Sequence, residues 1–231
     1  MASADHALAA PRMAPRVLRD GFVVAMTALV IVGIALLPLL TPWAMHAALD
    51  AAGSAAWLGT SAQTAHVLSD RTVDELIFGP GTWQLVAPGG TPFYDASEVQ
   101  HLRDVRQLLW LTFLVAAVGL VATLVVLERS ADRDEVLAAI GLGGATVAVV
   151  VAVVGVVGVL AFDPLFELFH QVFFPQGDWA FDPGHQRLVQ LYPMAFWQVM
   201  AASLGLLMVG LGVLTWVAAR WAIASRRRVT W

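Results

Sequence analysis

The chain contains no cysteine and no lysine. The first absence excludes a disulfide framework, a thiolate metal site and a cysteine nucleophile. The second excludes a lysine Schiff base. Charge is scarce as well: 13% of residues are Asp, Glu, Lys or Arg, with a formal net charge of −4. A soluble domain carries about 25%. Such a balance offers nothing to a nucleic acid, so no nucleic-acid partner is expected. What fills the chain instead is apolar, 59% of 231 residues, gathered into long runs without charge. These features mark an integral membrane protein of a single domain, residues 1–231.

Four runs reach the roughly 20 residues needed to cross a ~30 Å hydrocarbon core. They span about 21–43, 108–127, 136–162 and 194–219. The fold expected is therefore an all-α membrane protein with four transmembrane helices. The first run is longer than the apolar core of a signal peptide and is expected to be retained. Arginine sets the orientation. Nine lie before the first span, between spans two and three, or after span four; Arg71, Arg103, Arg106 and Arg187 lie in the two remaining loops. Both termini are thus expected in the cytoplasm, with outer loops at 44–107 and 163–193. Residues 1–18 read as disordered, and 220–231 as a basic tail anchoring topology against anionic lipid. A transporter is disfavoured: no span carries an internal charge, and no repeat relates the halves.

Function should then reside in the outer loops. In the first, "SDRTVDELIFG" opens like a helix N-terminus at Ser69. "TWQLVAPGGTPFYD" reads as two extended pieces about a Pro-Gly-Gly turn, leaving room for a small β-hairpin. "DASEVQHLRDVRQLLWL" starts a helix capped by Asp95 or Ser97 that runs into span two. In the second loop, Asp163-Pro164 breaks the chain after span three. "LFELFHQVFF" suits a short interfacial helix, and "HQRLVQLYP" another. Trp179, Tyr192 and Trp197 read as aromatic-belt residues, and the third span's "GLGGATVA" as close helix packing or a lipid slot.

One spacing occurs twice. Glu98 and His101, and again Glu167 and His170, form Glu-x-x-His pairs, which share a face on a helix. Ionisable groups at membrane depth are costly and point to function, although a lone interfacial His is commonly a hydrogen-bonded structural group. His6 and His46 lack such company and are set aside; His66 and His185 lie in polar loops and read as solvated. Two such pairs supply half of a di-iron carboxylate centre, but spans one and four hold no acid to complete it. H-E-x-x-H is absent as well, which leaves a zinc site of two His and one carboxylate as the form a metal-dependent membrane enzyme would take here. Metal-free acid–base chemistry asks less. Two imidazoles can deprotonate a nucleophile and protonate a leaving group at neutral pH. Glu98, Asp104 or Glu167 can fix their tautomers, and Arg103 or a Trp N–H can face an oxyanion. No G-x-S-x-G motif is present, so for acyl transfer the nucleophile belongs to the substrate. A binding protein without catalysis is the rival: eleven outer-loop carboxylates against four Arg suit a cationic or envelope partner, or a lipid.

"SEVQHLRDVRQLL", "FHQVFFPQGDWAFDP" and "LVQLYPMAFW" resemble a four-span family of bacterial membrane proteins that includes the lipoprotein intramolecular transacylases. The resemblance implies an enzyme that moves the sn-2 acyl chain of a diacylglyceryl-cysteine lipoprotein to the cysteine's α-amine. It implies His101 and His170 as catalytic residues, no cofactor and no metal, and a diacylglyceryl-modified lipoprotein and membrane lipid as partners. Glu98, Asp104, Glu167 and Arg103 would support them, and Asp178, Trp179, Phe181 and Asp182 would be structural motif residues.

Overall fold

The computed structural model describes residues 13–87, 90–177 and 179–229, and every regular element among them is a helix. Four are long and apolar enough to cross a membrane: α1 (Met13–Leu39), α5 (Ala96–Arg129), α6 (Arg133–Leu160) and α9 (Met194–Val229). Five shorter ones gather at one end of this bundle: α2 (Pro42–Ala52), α3 (Ser54–Leu58), α4 (Ala62–Ile77), α7 (Phe162–Phe173) and α8 (Arg187–Leu191).

The spans outrun their apolar segments, and ion pairs explain why. Helix α1 begins at Met13, inside the stretch expected to be disordered, and α9 continues through the basic tail to Val229. Arg19 and Arg16 reach Glu135 at 2.8 and 3.3 Å, and Arg226 reaches Asp134 at 3.1 Å. Both acids lie in the first turn of α6, where the helix dipole favours negative charge. The tail arginines are thus engaged within the protein as well as available to lipid. At the other end, α1 stops at Leu39 rather than Trp43. Thr41 accepts a hydrogen bond from the Ala44 N–H and Pro42 takes the first helical position, so a new helix starts.

Glycine lets α6 approach its neighbours, so "GLGGATVA" forms a packing face rather than a lipid slot. A Cβ on Gly144 would lie 2.6 Å from the Gly212 carbonyl oxygen of α9. One on Gly143 would lie 2.8 Å from the Thr27 Cβ of α1. Only a hydrogen at those positions allows the backbones together.

The cap over the far end has its own apolar core, built on Leu49, Trp83, Phe93, Leu102, Leu191 and Phe196. Three expectations change here. Helix α4 starts at Ser61, whose side chain caps Thr64, two turns before Ser69. Ser69 is instead buried in mid-helix, bonded to the Tyr192 hydroxyl at 3.1 Å. Tyr192 is therefore a core residue, not a belt residue; burial pushes its hydroxyl up to about 12. The small β-hairpin reduces to a single antiparallel bridge, Val86 to Pro92. Pro88 and Gly89 of its turn lie outside the described residues. Trp83 sits at φ 44°, buried, with its indole N–H on the Thr72 carbonyl, and this bends the segment away from strand geometry.

Candidate functional site

Helix α5 opens with a capping box. Asp95 accepts from the Ser97 and Glu98 N–H groups, and Glu98 accepts in return from the Asp95 N–H at 2.6 Å. The other oxygen of Glu98 takes the Leu188 N–H at the start of α8, also at 2.6 Å. With 1% exposure this carboxylate is a buried bolt between α5 and the second outer loop. Gln186 adds a bond to Asp95 at 3.0 Å. The loop is thereby drawn over the α5 N-terminus, and His101 lies beneath it, one turn along from Glu98.

Helix α7 delivers the second imidazole. Pro164 sits in its first turn, where a missing N–H costs nothing. His170, near its C-terminus, turns inward and is buried. Its Nδ1 lies 2.8 Å from the Phe166 carbonyl oxygen. A carbonyl only accepts, so Nδ1 carries the proton and donates. In the neutral ring the lone pair is then on Nε2. Burial lowers the His170 pKa, and the Phe166 carbonyl offsets this in part. The neutral, basic ring is favoured at neutral pH.

The two rings lie with centroids 6.0 Å apart and planes at 24°. Both are buried in an aromatic chamber. Phe174 and Phe181 flank His101 at 4.8 and 5.4 Å, and Phe166 and Trp179 flank His170 at 4.2 and 4.9 Å. Nothing in the sequence marked Phe166, Phe174 and Phe181 as chamber walls rather than ordinary apolar residues. Trp179, expected in the belt, packs on His170. Asp178 lies outside the described residues.

The expected supporting residues are placed differently. Glu98 is used by backbone N–H groups. Glu167 is exposed on α7, and the His170 Nδ1 bond goes to the main chain instead. Asp104 accepts from Gln100 at 3.2 Å and from Gln176 at 2.9 Å, fastening α5 to the segment that follows α7. Arg103 stands two residues from His101, about 200° round the helix. It bonds the Gly81 carbonyl at 3.4 Å and borders a separate cleft with Trp83 and Asp95. Among the described residues, no three His, Asp or Glu side chains converge as a metal-binding group.

A second histidine pair escaped the sequence reading. His46 of α2 and His66 of α4 stack at 4.1 Å with planes 4° apart. Each Nε2 meets a carboxylate of the opposite helix, His46 with Asp70 at 2.8 Å and His66 with Asp50 at 2.7 Å. The signal was present as two i,i+4 His-Asp spacings, His46/Asp50 and His66/Asp70. His185 pairs with Asp182 at 2.6 Å on the surface, lowering the pKa of that carboxyl.

Among curated proteins none matches the chain. Among solved structures, the membrane integral lipoprotein intramolecular transacylase Lit from Bacillus cereus superposes with a TM-score of 0.73 at 17% identity. The alignment covers 94% of this chain and all of that one. A variant of that protein with a single histidine replaced gives 0.68 at 16% identity, over 95% of this chain and 96% of its own. These likenesses establish the fold, a four-span membrane protein. Residues 61–197, which include the capped α5 N-terminus, the α7 histidine and the loop bolted between them, match the model of the family described as lipoprotein intramolecular transacylase Lit. The chain belongs to that family.

Proposed function

We propose that this protein is a lipoprotein intramolecular transacylase acting at the outer face of the bacterial cell membrane, with both termini in the cytoplasm. Its substrate is a lipoprotein whose N-terminal cysteine carries a thioether-linked diacylglyceryl group. The α-amine nitrogen attacks the sn-2 ester carbonyl, an N–C bond forms, and the bond from that carbonyl to the glycerol oxygen breaks. The product is the N-acyl, S-monoacylglyceryl lyso form.

The observation that carries this reading is a buried pair of imidazoles 6.0 Å apart in an apolar chamber beside the spans. Nucleophile and ester occupy one molecule, so orientation supplies much of the rate. The protein then needs a base, an acid and no nucleophile of its own. His170 is assigned as the base. Its Nδ1–H is committed to the Phe166 carbonyl, so Nε2 is ready to take the amine proton. His101 is assigned as the acid that gives a proton to the departing glycerol oxygen. One proton leaves nitrogen, one reaches oxygen, and exchange between the rings and solvent restores the pair. Trp179, packed on His170, carries an indole N–H suited to the developing oxyanion. The aromatic walls exclude water, which would otherwise hydrolyse the ester.

Mass spectrometry of a lipoprotein's N-terminal peptide tests this, in a host lacking other N-acylation. Co-expression should convert diacylglyceryl-cysteine to the N-acyl, S-monoacylglyceryl form. His101→Ala and His170→Ala should each abolish the conversion. An unchanged diacylglyceryl-cysteine beside a folded, inserted protein would refute the assignment and favour a non-enzymatic lipid-binding role.

A further inference from the structure

A second cavity, of about 400 Å³, opens on a different face of α5 from His101. Its volume lies within the roughly 300–1,000 Å³ typical of small-molecule sites. Helix α4 presents one stripe to it, Asp70, Val73, Asp74, Ile77 and Phe78, at helical i, i+3, i+4, i+7 and i+8 spacing. Leu37 of α1 and Phe113 of α5 line it from within the apolar runs of those helices. The crevice is therefore apolar along α1 and α5 and carries two carboxylates from α4.

Those carboxylates are not equivalent. Asp70 is held by His46 Nε2 at 2.8 Å. Asp74 is exposed, and no described side chain bonds or pairs with its carboxylate. Of the basic groups around it, Arg106 donates to the Glu75 main-chain carbonyl, and Arg71, one turn back on α4, is exposed and forms no ion pair with Asp74. An exposed carboxylate at the mouth of an apolar crevice attracts a cation and repels an anion. Along Leu37, Ile77 and Phe113 the crevice offers water no polar partner, so that part suits an alkyl chain. The exposed Phe78, at 83%, and Trp43, at 82%, extend the same apolar surface toward the lipid.

We propose that this crevice binds a membrane phospholipid with a primary-amine headgroup. One acyl chain lies against Leu37, Ile77 and Phe113. The ammonium meets Asp74, with Asp70 behind it, and an anionic headgroup is repelled by the same two groups. The site is independent of acyl transfer and does not rest on that assignment.

The full chain, purified with equal amounts of phosphatidylethanolamine and phosphatidylglycerol, would be examined for retained lipid by native mass spectrometry. The wild type should prefer the ethanolamine lipid roughly tenfold, corresponding to about 1.4 kcal/mol. Asp74→Asn, an exposed and nearly isosteric change, should bring the preference close to one with total lipid unchanged. Ile77→Trp should fill the crevice and reduce retention of both lipids. Should Ile77→Trp fail to fold, Asp74→Asn alone decides the question. Equal retention of both lipids by the wild type overturns the proposal, as does a preference that survives Asp74→Asn. Lipoprotein acyl transfer, measured in parallel, should proceed in Asp74→Asn. Loss of lipid preference and loss of transacylation are thus read separately.

Discussion

The two histidine pairs share a chemistry and differ in surroundings. His46 and His66 stack in contact, and each ends on a carboxylate of the opposite helix. Their polar atoms are committed to one another's helices, so the pair works as a clasp between α2 and α4. His101 and His170 stand too far apart for contact stacking and are walled by aromatic rings. His170 gives one nitrogen to a main-chain carbonyl, which leaves the lone pair of the neutral ring on the other. The same residue is held by fixed charge in one pair and walled by aromatic rings in the other, and only the second arrangement fits the proton transfer proposed above.

The sharpest way to break this comparison is to remove each ring in turn. His101→Ala or His170→Ala should cut transacylation by about 10²–10⁴, the range for lost general acid–base catalysis. His46→Ala or His66→Ala should leave the N-acylated product abundant in the same mass-spectrometric assay. A second cut is by pH. Burial lowers the pKa of His170, so its base form persists below the usual value of about 6.5. The rate, followed in detergent micelles, should fall only as pH drops through that lowered value. Stability shares the sign: the unfolded chain protonates this His first, so acid favours unfolding below pH about 6.5.

The remaining predictions concern support rather than chemistry. Glu98→Ala strips an acceptor from two backbone N–H groups and should cost about 1–3 kcal/mol in thermal unfolding. Transacylation should fall with it, because the loop over His101 loses its bolt. Tyr192→Phe should cost about 1 kcal/mol through the lost Ser69 bond, with activity retained. In the wild type, the contribution of neutral, buried Tyr192 is complete below pH about 10 and is lost as pH rises through about 12. Smallest of all, Asp50→Asn should cost under about 1 kcal/mol, because its carboxylate is 56% exposed and solvent screens the pair.

The places where sequence reading succeeded and failed share a cause. The spans were legible because a bilayer demands long uncharged runs whatever the neighbours are. The α5 N-terminus was legible because Asp95 and Glu98 form a local capping box. Glu98 itself misled. Its spacing to His101 suggested a tautomer partner, but its second oxygen was claimed by the Leu188 N–H, 90 residues away. Tyr192 misled for the same reason, since only the packing of α4 beside it brings Ser69 within reach. Arg103 faced away because a difference of two residues in a helix is more than half a turn.

By itself, the sequence determined the four-helix membrane class, the Arg asymmetry between loops, the absence of a cysteine or lysine nucleophile, and the two Glu-x-x-His spacings. Each is a property of composition or of residues close in the chain. Tertiary structure alone decided that His101 and His170 meet, that aromatic rings wall them, that Asp104 and Glu98 fasten the loop, and that His46 and His66 clasp. Those facts depend on side chains between about 20 and 100 residues apart arriving at one place, and chain packing settles that arrival.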